Sequence, residues 1–167
     1  MQALADAAQA LVAHDPGNAQ WQRLLAAVQT RSALALSAAG ARAQADERIA
    51  ASLAILQPAY LRNPDNINGR QALAEAWLAS AQIAGRGTVS ARAACQRSAD
   101  LFAAVGQTSE DYLILLPWMR SQHCLGNAAA SARAARVLAK IGYRGASHDD
   151  FDSPSTHGRP PDDAERS

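Results

Sequence analysis

An all-α fold, a solenoid of antiparallel helical hairpins with about seven helices, follows from three observations. Alanine dominates a chain that is 49% hydrophobic but only 5% aromatic, a composition that favours helix over strand. No segment alternates with period two long enough to read as a strand. Trp77 and Trp118, Gly85 and Gly126, and the pentapeptides starting at Ser90 and Ser131 (both Ser-Ala-Arg-Ala-Ala) recur at one offset, 41 residues. A period of a few tens of residues marks units that cannot bury their apolar faces alone and stack on their neighbours.

The elements follow in order. A first helix over 3–14 ends at Asp15-Pro16-Gly17-Asn18, where proline cannot continue it and Asn18 is placed to cap the next. The second covers 19–39 and stops at Gly40; the third covers 43–61, with Pro58 predicting a kink or an irregular last turn. Asn63-Pro64-Asp65-Asn66 repeats the earlier turn at an offset of 48. The fourth helix, 67–84, closes at Gly85-Arg86-Gly87, and Thr88 starts a fifth that reaches Val105. Thr108 and Asp111 have capping-box spacing ahead of a sixth helix, 109–125, which Pro117 should kink. Gly126-Asn127 separates it from a seventh, 128–141, ending at Gly142. The repeat domain thus spans 1–144. Residues 145–167, rich in Pro, Ser and Asp, cannot repay the entropy of ordering and read as an unstructured tail that starts near Tyr143 and Phe151.

A formal charge of +1, from 16 basic and 15 acidic residues of mixed distribution, argues against a strong grip on nucleic acid or anionic membrane. With no basic leader and no long apolar run, the chain as it stands reads as cytoplasmic; as a fragment of a membrane-anchored parent it would be extracytoplasmic.

These residues resemble the tetratricopeptide repeat family: a large apolar residue on the first helix, a turn glycine, small residues on the second helix and a proline near the unit boundary. Asp15-Pro16-Gly17-Asn18-Ala19-Gln20-Trp21 looks like the inter-repeat junction of bacterial members. The resemblance covers residues 1 to about 142, although the units run 41 to 48 residues instead of the family's 34. It implies a right-handed superhelix and a non-catalytic scaffold that binds a protein or peptide, or packs on another domain of a larger parent. Leu138-Ala139-Lys140-Ile141-Gly142-Tyr143-Arg144 is also similar to the end of repeat segments in proteobacterial regulators and serine/threonine kinases. That similarity implies, as the alternative, a ligand-sensing portion of such a parent.

No nucleophile, base and orienting group assemble from the sequence, so neither an enzyme nor a cofactor is expected. His14, His123, His148 and His157 sit in separate segments, and His123 and Cys124, adjacent on a helix, diverge by about 100°. No metal site is expected. The Gly85-Arg86-Gly87-Thr88 turn lacks the lysine and spacing of a phosphate loop.

Cys95 and Cys124 are expected as free thiols. A turn centred near Gln107 puts Cys95 opposite residue 119, and neighbouring helix axes stand about 9 Å apart, beyond the about 7 Å that a disulfide spans. Cys124 also occupies the repeat position of Ile83, an apolar site. A hairpin superhelix presents the first helix of each unit on its concave face. Gln22, Gln29, Arg70 and Arg120 on those helices are therefore the expected partner-binding residues, arginine suiting carboxylates and glutamine suiting main-chain amides. The terminal helices expose faces to be covered either by further chain of a longer parent or by another copy in a homo-oligomer.

Overall fold

The computed structural model describes residues 2–143; the expected tail, with Phe151, His148 and His157, lies outside them. The described residues form seven helices and no strand: α1 (Gln2–His14), α2 (Ala19–Ala38), α3 (Arg42–Arg62), α4 (Ile67–Ala84), α5 (Val89–Asp100), α6 (Tyr112–Cys124) and α7 (Ala128–Lys140).

Local chemistry sets most of the boundaries. The Asn18 side chain accepts from the Gln20 and Trp21 amides, Asn66 from Gly69, and Thr88 from Ala91, so each start is held by a polar side chain outside the helix. Gly85 and Gly126 close α4 and the α6 turn at φ of 89° and 81°, values that cost a side-chain-bearing residue energy. Both proline-containing helices run unbroken, α3 through Pro58 and α6 through Pro117.

Consecutive helices pair as α2 with α3, α4 with α5 and α6 with α7. Between hairpins, α2 touches α4 and α4 touches α6, while α3 packs on α4 and α5 on α6; α1 packs on α2. Burial follows this neighbour-to-neighbour pattern. One core joins α2 to α5 around Leu56, Leu73, Trp77 and Ile83; a second joins α4 to α7 around Phe102, Leu115, Trp118 and Leu138; a third, smaller, sets Ala8 of α1 on Leu25 and Val28. Both repeat tryptophans are buried.

Serine hydroxyls stitch the hairpins from within. Ser52 donates to the Ala26 carbonyl at 2.9 Å and accepts from Thr30 at 2.8 Å. Ser98 donates to the Ala74 carbonyl at 3.2 Å, 48 residues on from Ala26. Ser121 lies 2.8 Å from Ser98 Oγ and 2.7 Å from the Pro117 carbonyl, which extends the chain of polar contacts from α4 through α5 to α6. Burying these hydroxyls is tolerable because each has an acceptor.

Two expectations fail at the α5 to α6 connection. The fifth helix stops at Asp100 instead of Val105, as bonding switches to i→i−3 pairs such as Phe102 to Ala99 and Ala103 to Asp100. The tighter turns bring Phe102 into full burial against the second core. The sixth helix begins at Tyr112 with Asp111 as its cap, accepting from the Leu113 amide at 2.9 Å, so Asp111 replaces the expected Thr108.

The 41-residue repeat also shifts between helices. Trp77 and Trp118 are equivalent, but the turn after Gly85 has two more residues than the turn after Gly126, so the caps Thr88 and Asn127 stand only 39 apart. The buried faces, Ala91, Ala94 and Ser98 on α5 against Ser131, Ala134 and Leu138 on α7, stand 40 apart. The identical pentapeptides are therefore rotated by one position, about 100°, relative to the core. Arg92 and Arg133 are exposed in both settings.

Candidate functional site

The four expected partner-binding side chains do not line one cleft: Gln22 and Gln29 share one that includes neither Arg70 nor Arg120. Gln22 donates through Nε2 to the Pro16 carbonyl, and Arg70, 48 residues later, donates through Nε and Nη2 to the Pro64 carbonyl at 3.2 and 2.6 Å. The pair performs one task twice: a side chain on the first helix folds back to satisfy the proline carbonyl of its own entry turn. Gln29 is buried and accepts from Arg48 Nη1 at 3.3 Å, so it faces α3. Arg120 is half-buried on α6.

The structure opens a different surface. A cleft of about 430 Å³ separates α2 from α4, with Leu11 of α1 at its rim. Trp21 and Leu24 supply its apolar part, and Arg23, Gln71 and Glu75 its polar part, with Gln71 Nε2 donating to Glu75 Oε1 at 3.3 Å. The Trp21 ring lies 6.2 Å from that of His14. Sequence reasoning placed Trp21 only in the junction motif and passed over Arg23 and Glu75. Their signal, charge on the first helices one turn from an apolar residue, is common to any solvated helix face.

Other clefts are larger or smaller, the largest of these, about 530 Å³, lying between Ala5, Leu36 and Arg48. One of about 500 Å³ between α1, α2 and α3 contains Gln22 and Gln29 beside Val12, Ile55 and Pro58. One of about 260 Å³ lies between Gly106, Trp118, Arg133 and Val137. Among the described residues no group of three or more His, Cys, Asp or Glu side chains is placed to hold a metal ion. Among the described residues no helix is long and apolar enough to cross a membrane.

The expected free thiols are overturned. Cys95 and Cys124 form a disulfide across α5 and α6, with their Cα atoms 6.2 Å apart. Packing sets the register: Ser98 of α5 meets Ser121 of α6, and in that register residue 124, not 119, stands level with Cys95. Two helix axes about 9 Å apart also bring facing Cα atoms closer than the axes, since each stands about 2.3 Å off its axis. Ile83, the repeat equivalent of Cys124, gave no hint of the bond because Cys95 has no cysteine counterpart on α7, where Arg136 stands at the same repeat offset.

Compared with known proteins, the chain matches no family model, no curated protein and no solved structure.

Proposed function

We propose that this chain is a non-catalytic, tetratricopeptide-like module, its hairpins wound into a right-handed superhelix, that binds an extended peptide segment of a protein partner on the first-helix face. The observation that carries the reading is the cleft between α2 and α4, where two consecutive first helices present an indole and a leucine beside an arginine and a glutamate. An extended chain offers side chains to the apolar part and main-chain amides to the polar groups. Arg23 and Glu75 give the site both charge signs, which suits a peptide with charges flanking an apolar anchor better than a uniformly charged polymer. Gln22 and Arg70 support the site indirectly, by fixing the turns that enter α2 and α4.

Selection from a displayed random peptide library tests this. Enriched peptides should bind the wild type, and Trp21→Ala with Arg23→Glu should lose at least about tenfold in affinity, equivalent to about 1.4 kcal/mol. The helical circular dichroism should stay unchanged. Absence of any enriched sequence, or enrichment indifferent to the double substitution, overturns the reading.

The cleft beside Trp118 favours a second reading, a ligand-sensing portion of a larger regulator, since an indole there lines a pocket of about 260 Å³ with Leu115 and Val137. A small-molecule screen read by tryptophan fluorescence separates the two.

A further inference from the structure

The chain has two cysteines, and both take part in the bond between α5 and α6, so no free thiol remains. The pair stands outside the repeat. Cys124 occupies the place of Ile83, and Arg136 the place of Cys95, so neither cysteine belongs to the pattern that the hairpins share. What sets this junction apart is its connection. Residues 101–111 join α5 to α6, whereas the other described helices are joined by three or four residues, and a longer connection restrains its two helices less. The bond lies where the chain itself constrains neighbouring helices least.

The two sulfurs differ in access. Cys95 is 0% exposed, inside the core that joins α2 to α5, whereas Cys124 is half-buried at the C-terminal end of α6. A thiolate from solvent therefore reaches the bond from the Cys124 side. Its attack forms a bond to Cys124 Sγ, breaks the existing one and expels Cys95 as a thiolate, which carries the electron pair into an apolar site where charge is disfavoured. Ser98 and Ser121, in contact at 2.8 Å, hold the helices in register, so the displaced Cys95 sulfur stays beside the mixed disulfide and closes it again, releasing the attacking thiol. A pair that serves as a redox switch has the opposite character, exposed and with a stabilised leaving thiolate.

We infer that the Cys95–Cys124 bond is a permanent lock on the α5 to α6 register, and that this chain acquires it, and works, in an oxidising compartment outside the cytoplasm. Cytoplasmic thiol systems keep such pairs reduced. Making the bond takes two electrons and two protons from the two thiols. The acceptor is the disulfide of an oxidising exchange protein, which leaves as a dithiol. The inference favours the extracytoplasmic alternative of the sequence over its cytoplasmic reading, and it does not rest on the peptide-binding reading.

Thiol trapping in the cells that naturally make the protein tests the compartment. Cells are quenched in acid and separated into cytoplasmic and extracytoplasmic fractions, and the full chain is unfolded and treated with a maleimide polymer that retards it on a gel by one step per free thiol. The chain should be extracytoplasmic and unretarded, and retarded by two steps when reduced beforehand. Two free thiols in the mature chain, or an oxidised chain that resides in the cytoplasm, overturns the compartment. The lock is tested on the purified oxidised protein, which glutathione should reduce at least about tenfold more slowly when folded than when unfolded in urea. Equal rates overturn the lock and make the pair a switch.

Discussion

Cys95 and Cys124 stand level on α5 and α6, their Cα atoms 6.2 Å apart and their sulfurs joined, so the last two hairpins of the described chain are tied covalently. The bond spans 29 residues that include the irregular turns after Asp100. It reinforces a junction otherwise held by the Ser98 to Ser121 contact and by apolar packing around Leu101 and Leu125.

Closing a loop of this length should stabilise the fold by about 3–4 kcal/mol, chiefly by restricting the unfolded chain. Urea unfolding of the oxidised protein should therefore show a higher midpoint than the reduced protein or Cys95→Ala with Cys124→Ala. Coincident curves for oxidised and reduced samples would contradict a formed disulfide, and intact mass under non-reducing conditions gives an independent reading.

Gly106 is confined by Trp118. A Cβ at position 106 would come within 2.7 Å of Trp118 Cε3, although the backbone there is not left-handed and alanine meets no conformational penalty. Gly106→Ala should cost about 1–3 kcal/mol by overpacking and should alter the near-ultraviolet circular dichroism of the indole. A neutral substitution would show that this turn can move away from the ring without loss.

Ser98 and Ser131 should respond with opposite signs. Ser98 is satisfied by the Ala74 carbonyl, and Ser98→Ala should lose about 1 kcal/mol. Ser131 Oγ is buried with no hydrogen-bond partner, and its burial equivalent on α5 is Ala91. Ser131→Ala should gain about 1 kcal/mol from removing an unsatisfied hydroxyl and from better helix propensity. Thermal unfolding of both variants is the check, and a loss at position 131 would reveal a partner for the hydroxyl.

Trp77 carries the Arg97 guanidinium 4.6 Å from its ring centroid, an interaction between α4 and α5. Trp77→Ala should cost about 3–5 kcal/mol, mostly from the cavity. A double-mutant cycle with Arg97→Ala should return a coupling of about 0.5–1 kcal/mol. Zero coupling would reduce the contact to simple proximity.

The seven helices and most of their ends were legible in the residues themselves, because caps such as Asn18 and Thr88 and turn glycines such as Gly85 act within a few residues. So was the burial of Trp77 and Trp118, because large apolar residues at equivalent places in stacked units have one favourable destination. Tertiary structure decided the rest. How far α6 slides along α5 depends on how the connection after Asp100 is packed around Phe102, and that slide, invisible to local rules, brings Cys124 to Cys95. The rotation of one identical pentapeptide against the other is read only from which faces of α5 and α7 are buried. Gln22 and Arg70 read in the sequence only as polar residues on the first helices of hairpins, and the folded turns supply the proline carbonyls that hold them. Periodicity and capping are written along the chain. Register between helices is a property of the packed whole, where the burial of one side chain sets the level of the next.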